Sequence, residues 1–220
     1  MAELTPEALA SLPQSTGIVL PPLRPKASNP WARQYIGNYW TKFLGASLAD
    51  FDREQVVLPY GQALNDGVGM FISGPTGVGK THLLAALFLD LADRGFDCAI
   101  YTYGDLLDDI RADFKREHDG KPTIVAYYLE KPVLMIDDIG SGRTTRWAAE
   151  RTYRLLDERM RTGRPTYYTS NYRLEELGAA LNECYDGESA VSTRDGDRII
   201  SRIAGSCVSV KLTGVDRRLQ

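Results

Sequence analysis

From about residue 46 onward, short apolar runs alternate with longer amphipathic or fully apolar stretches. Met70-Phe71-Ile72-Ser73 reads as a strand that runs into a glycine-rich turn. Residues 80–93 are apolar nearly all round (Leu83, Leu84, Ala85, Ala86, Leu87, Phe88, Leu89), the pattern of a buried helix. Cys98 to Tyr103 reads as a second strand, and Asp105 to about His118 as an amphipathic helix carried by Leu106, Leu107, Ile110 and Phe114. A shorter helix fits 123–130, and Val133 to Ile136 a third strand. A helix over 144–162, a strand over Thr166 to Ser170 and a helix over Leu174 to Tyr185 follow. Ile199 to Ile203 reads as helical and Val208 to Leu212 as a last strand, while the Gly-, Ser- and charge-rich Asp186 to Asp197 reads as low in order. Strands alternating with helices predict an α/β fold, a parallel sheet covered on both faces.

The first 45 residues follow another pattern. Six of the eleven prolines lie in the first thirty positions, which opposes helix and sheet and predicts an extended arm over 1–28. Asn29-Pro30 reads as an N-cap followed by proline at the first helical position. Trp31, Tyr35, Ile36, Tyr39, Trp40, Phe43 and Leu44 then recur at helical spacing as one aromatic stripe, with Gly45 as a stop. The expected division is therefore 1–45, an arm plus a helix that docks a partner, and 46–220, a nucleotide-handling domain. Packing of that helix onto the chain's own core has about equal weight.

Composition narrows the function classes. The net charge of −3 means that any nucleic-acid contact must come from local patches. Cys98, Cys184 and Cys207 are scattered singly, which fits a reducing cytoplasm and gives neither a disulfide framework nor zinc-ligand spacing. No signal peptide and no run long enough to span a bilayer are seen, so a cytoplasmic protein with no membrane partner is expected.

Gly74-Pro75-Thr76-Gly77-Val78-Gly79-Lys80-Thr81 matches G-x-x-x-x-G-K-[ST] at every fixed position, between a strand and a helix. The glycines let backbone N–H groups turn inward around phosphates, at a helix N-terminus that favours negative charge. Lys80 is expected to reach the β- and γ-phosphates of ATP, and the Thr81 hydroxyl to ligate Mg²⁺. His82, one residue on, is grouped with the ATP/ADP-binding residues, although a plain helix-face role is the simpler reading.

Val133-Leu134-Met135-Ile136-Asp137-Asp138 is a buried strand that ends in two carboxylates. Downstream of a phosphate loop, Asp137 is expected to hold the Mg²⁺ shell and Asp138 to polarise the attacking water; capping of a strand end is the bland alternative. Asp138 has a shorter reach than glutamate, which predicts slow hydrolysis. Thr169-Ser170-Asn171 ends the next strand. If that strand lies between the other two, Asn171 faces the γ-phosphate; otherwise it is a turn residue.

Arg198 and Arg202 are four apart and share a helix face, with Ile199, Ile200 and Ile203 beside them. Two outward guanidinium groups suit either a solvated basic face or an arginine finger that enters a neighbouring subunit's ATP site. Residues 143–164 hold seven arginines against three acids, a patch for a subunit or nucleic-acid face, or a salt-bridged surface.

With these residues in view, the chain resembles the DnaC/DnaI/IstB group of AAA+ proteins, bacterial replicative-helicase loaders and transposition helper ATPases. The resemblance spans about 46–217 and rests on Ala46 to Phe51, Gly79-Lys80-Thr81-His82-Leu83, Ile136-Asp137-Asp138-Ile139-Gly140, Thr169-Ser170-Asn171-Tyr172 and Arg198-Ile199-Ile200-Ser201-Arg202. It implies a P-loop AAA+ core without a C-terminal helical lid domain, Asn171 as a sensor of the γ-phosphate, and Arg202 as the arginine finger with Arg198 as its companion. It also implies a single-stranded DNA groove on the two helices between Asp105 and Glu130, where Lys115, Arg116 and Lys121 are the candidate contacts. The expected partners are a hexameric replicative helicase held through 1–45, single-stranded DNA, and further copies of the chain in an ATP-dependent oligomer. Residues 1–45 are shorter than the usual helicase-binding domain of that group. The rival readings are a transposition helper acting on duplex DNA with a transposase, and a small P-loop nucleotide kinase in whose mechanism the Thr-Ser-Asn strand has no job.

Overall fold

The computed structural model describes residues 28–114, 123–142, 144–186 and 189–216. Lys115, Arg116 and Lys121, and nearly all of the proline-rich arm, lie outside them.

In chain order the elements are α1 (Pro30–Tyr39), α2 (Leu58–Asp66), β1 (Gly69–Ser73), α3 (Lys80–Asp93), β2 (Cys98–Thr102), α4 (Tyr103–Asp113) and α5 (Ile124–Glu130). There follow β3 (Val133–Asp137), α6 (Arg146–Arg161), β4 (Thr166–Ser170), α7 (Leu174–Asn182), β5 (Glu183–Asp186), β6 (Ser189–Ser192), α8 (Asp195–Ser206) and β7 (Cys207–Lys211). Five strands form one parallel sheet in the order β2-β3-β4-β1-β7, and β5 and β6 pair as a separate antiparallel hairpin.

Strand side chains alternate between two faces, and each face has its own core. Met70, Ile72, Cys98, Ile100, Val133, Met135 and Tyr167 pack with α1, α2 and α3. Phe71, Ala99, Leu134, Ile136 and Tyr168 pack on the other side with α4 to α8. This is the expected α/β P-loop fold, with helices on both faces of a parallel sheet.

Four expectations need correction. The aromatic stripe does not lie on one continuous helix: α1 stops at Tyr39, Trp40 leaves helical geometry (φ −133°, ψ 40°), and Thr41–Phe43 is a 3₁₀ turn. The Thr41 hydroxyl takes the Gly37 carbonyl at 2.8 Å, the acceptor that the Thr41 N–H would use in an uninterrupted helix. The helix expected to reach Tyr185 ends at Asn182, because Cys184 and Tyr185 pair with Val191 and Ala190 in the hairpin. The stretch 186–197 is accordingly not devoid of order. Asn182 accepts from the Gly196 N–H (2.9 Å) and donates to Asp197 (2.7 Å), which pins the start of α8. Lastly, α2 has no counterpart in the periodicity reading. A turn of π-helix capped by Asp52 leads into it (Gln55 N–H to Asp52, 2.7 Å), Pro59 sits in its first turn, and Gly67 closes it at φ 67°.

α1 packs on the chain's own core through part of its surface. Ala32 and Ile36 are fully buried against α3, whereas Trp31 and Tyr39 stay 53% and 72% exposed. The helix is also tied to the end of α3: Asn29 N–H and Arg33 both bond Asp93 (2.7 and 2.8 Å), and the Asn29 amide donates to the Ala92 carbonyl.

Arg159 on α6 is a further element of the frame. It is buried, and it donates to the carbonyls of Tyr128 (2.6 Å), Lys131 (2.8 Å) and Pro165 (2.9 Å) and to the Thr166 hydroxyl (2.9 Å). One planar fork thus fastens the end of α5 and the start of β4. Burial pushes its guanidinium down to about 10.

Candidate nucleotide site

The loops that follow β1, β3 and β4 meet at the carboxyl edge of the sheet, where ligands of open α/β sheets bind. Because β4 pairs with both β1 and β3, Asn171 stands between the phosphate loop and the acidic pair, the condition on which its expected role depended. The loop wraps the start of α3, with Gly77 at φ 81° and Gly79 at φ 106°. The positive φ at Gly77 is what requires glycine in this turn, since the Asp216 carboxylate that a Cβ there would meet is the movable end of a side chain.

The charged groups form a connected network. Lys80 is buried, and its ammonium donates to the carbonyls of Gly74 and Pro75 (2.9 Å each) and to the Asn171 amide oxygen (2.7 Å). The Asn171 amide nitrogen donates to Asp138 at 2.8 Å. The Thr81 hydroxyl donates to Asp137 at 3.1 Å, and Thr169 donates to the same carboxylate. Burial pushes the Asp137 carboxyl above its ordinary range, against the pull of the Thr169 and Thr81 hydroxyls. A buried carboxylate beside a hydroxyl at a phosphate loop suits a hard divalent cation, which takes one or two protein oxygens and completes its shell with water and phosphate.

Asp138 has φ 58°, and among the described residues it is the sole non-glycine with a positive φ. The turn is held from β4: Thr169 Oγ1 accepts the Asp138 N–H (2.8 Å), and the Thr169 carbonyl accepts the Ile139 N–H (2.8 Å). The backbone thus aims this carboxylate into the cavity, not along the strand. Strain of this kind concentrates at functional positions.

The cavity measures about 410 Å³, and Thr76, Gly77, Gly79, Lys80, Thr81, Asp137, Asp138, Thr169 and Asn171 line most of it. The remaining wall is Phe43 and His82. His82 lines the cavity, and its Nε2 lies 2.8 Å from the Asp50 carboxylate. Phe43 escaped sequence reading because it belonged to a stripe assigned to another purpose. Gly74, Pro75 and Val78 shape the loop without lining the cavity.

Arg198 and Arg202 lie away from this chain's own cavity. Both guanidinium groups sit over the ring of Tyr153 (4.5 and 5.6 Å), and Arg202 Nε donates to Asp157 at 2.6 Å. The outward pair expected from spacing is therefore partly engaged: Arg198 is 58% exposed and Arg202 32%.

A second surface lies where α4 ends and α6 begins. Arg111 covers the Trp147 ring at 4.9 Å, Trp147 meets Phe114 edge-on at 6.4 Å, and Arg151 covers Phe114 at 4.8 Å. Phe114 is an exposed large apolar side chain.

The family described as IstB-like ATP binding protein matches residues 63–220. The replicative helicase loader DnaI of Bacillus subtilis is 29% identical over 154 residues, which are 69% of this chain and 48% of that protein. A protein described as ATP-binding in an insertion sequence of Mycobacterium tuberculosis is 32% identical over 108 residues, 49% of this chain and 42% of that one. This chain spans about half the length of the curated relatives it matches. A crystal structure of DnaI superposes with a TM-score of 0.62 at 26% identity, over 80% of this chain and 93% of that one.

Proposed function

We propose that this chain, which belongs to the IstB-like ATP binding protein family, is an ATP-hydrolysing switch of the cytoplasm that loads a hexameric replicative helicase onto single-stranded DNA.

The triphosphate takes the loop from Gly74 to Thr81, and Lys80 moves from the Gly74 and Pro75 carbonyls onto the β- and γ-phosphates. Lys80 leaves Asn171 in the same step, which frees that amide to orient the attacking water. The Thr81 hydroxyl and Asp137 would hold Mg²⁺, whose charge neutralises the phosphate oxygens. Asp138, aimed by its left-handed backbone, accepts the proton of the water that attacks the γ-phosphate. Arg202 acts in trans, entering the site of the next copy when ATP closes the interface. The Asp157 and Tyr153 contacts support an arrangement in which Arg202 is held by Nε and, at 3.5 Å, by Nη2, with Nη1 offered to the neighbour.

The observation that carries the single-strand reading is the ladder Arg111–Trp147–Phe114–Arg151. Aromatic rings interleaved with guanidinium groups, Phe114 exposed and Trp147 half-buried, suit unstacked bases, which a duplex does not offer. It adjoins the segment that contains Lys115, Arg116 and Lys121, our further phosphate contacts. The exposed rings of Trp31 and Tyr39 are proposed for the helicase contact.

The insertion-sequence relative supports a second reading, a helper that acts on duplex DNA with a transposase. A labelled 30-mer, single- or double-stranded, offered with Mg-ATP separates the two. The loader reading expects preference for the single strand, and a Trp147→Ala/Phe114→Ala variant that loses about tenfold or more of it. Preference for duplex, unaffected by that variant, would favour the helper.

A further inference from the structure

The acidic pair, Lys80, Thr81 and Asn171 account for a triphosphate and its cation, but not for the base. The cavity wall supplies one apolar ring outside the phosphate loop and its helix: Phe43. We infer that Phe43 is the platform on which the base of a purine nucleoside triphosphate stacks, with the His82 ring as the edge that fixes its orientation. The inference rests on the ATP-binding reading above and adds the residue that selects the ligand's organic half.

The position of Phe43 is built. The 3₁₀ turn Thr41–Phe43 returns the chain toward α3 directly after α1, and Phe43 meets the His82 ring edge-on with centroids 6.1 Å apart. The His82 ring is fixed from two further directions, by the Asp50 carboxylate at 2.8 Å and by the Phe51 ring at 5.7 Å. The residues that hold this corner are themselves anchored. Ser47 caps the 3₁₀ turn Leu48–Asp50, and the Asp50 carboxylate takes the Ser47 N–H in return at 2.9 Å. Upstream, α1 is clamped to Asp93 and its Tyr35 hydroxyl donates to the Ile100 carbonyl at 3.1 Å. Phe43 is only partly buried: Trp40 packs against it with centroids 6.1 Å apart, and Phe43 still lines the cavity.

The chemistry follows from polarity. His82 is the next residue after Thr81, so the ring wall begins where the phosphate-binding backbone ends. A nucleotide whose phosphates occupy the loop must place its base beyond that backbone, and a purine offers a broad π-face that a flat apolar ring accommodates. Phe43 precedes the family-matched residues 63–220, so base recognition here would come from the N-terminal segment and not from the shared core.

Calorimetry on the full chain with two ligands, ATP and inorganic tripolyphosphate, each with Mg²⁺, tests this. The second ligand carries the phosphates and no base. Phe43→Ala should weaken ATP about tenfold or more and leave tripolyphosphate within about twofold. Phe43→Tyr should restore ATP, and Phe43→Leu, which keeps apolar packing without a flat ring, should fall between the two. Unchanged ATP affinity in both Phe43→Ala and Phe43→Leu would overturn the inference. An equal loss for both ligands would overturn it too, because Phe43 would then support the loop and not the base. Wild-type protein that bound neither ligand would instead remove the ATP reading itself.

Discussion

Asp138→Asn separates the catalytic from the structural demand on one residue. Asp138 sits at φ 58°, a region that costs most non-glycine residues about 1–2 kcal/mol but that asparagine visits as readily as aspartate. The amide oxygen can still accept from Asn171, now 2.8 Å from the carboxylate, and the backbone contact to Thr169 is untouched. The substitution also removes a negative charge that raises the proton affinity of the buried Asp137. The folded state should therefore melt at or above the wild-type temperature. ATP should bind within about threefold of wild type. Turnover should fall by about 10²–10⁴-fold, because an amide cannot accept the proton of the attacking water. Asp138→Ala loses the same turnover but is expected to melt below wild type, since alanine tolerates the left-handed backbone poorly. Calorimetry, a phosphate-release assay and thermal melts on the three proteins suffice. Asp138→Asn turning over at more than a tenth of the wild-type rate refutes the catalytic role; an Ala variant as stable as the Asn variant refutes the backbone argument.

Arg202→Ala should leave ATP affinity unchanged in dilute protein and remove any stimulation of turnover by added DNA, and mixing it with Asp138→Asn should restore part of the activity through hybrid interfaces; no rescue at any ratio contradicts a trans finger. Arg159→Met strips three carbonyls and a hydroxyl of their donor in a buried setting, and should cost about 3–5 kcal/mol in urea unfolding. A loss below about 1 kcal/mol would mean that water replaces the fork.

The phosphate loop was legible because its fixed positions each answer a local demand: backbone sign at Gly74 and Gly79, a cation at Lys80, a hydroxyl at Thr81. The sheet was legible because buried parallel strands are short apolar runs. The place of Asn171 needed the order β3-β4-β1, a long-range pairing that spacing leaves open. Arg159 was invisible among seven arginines in 143–164, since only tertiary packing decides that this one turns inward. The same holds for Asp157 and Tyr153, which engage Arg202 from another helix. The stripe from Trp31 to Leu44 misled in a specific way: its helical spacing is real up to Tyr39, but the break at Trp40 separates α1 from the 3₁₀ turn whose Phe43 lines the cavity.

The central claim is that Gly74 to Thr81 holds the phosphates of ATP, with Lys80 as their main counter-charge, and calorimetric titration of Mg-ATP into Lys80→Ala protein tests it most directly. Wild-type chain should bind, and at a hundredfold excess of ATP over its Kd should gain about 2.7 kcal/mol of stability. The variant should keep its fold by thermal melt and bind ATP at least about a hundredfold more weakly, the loss of charge-assisted bonds worth roughly 3 kcal/mol. Wild-type affinity in Lys80→Ala protein would contradict the account.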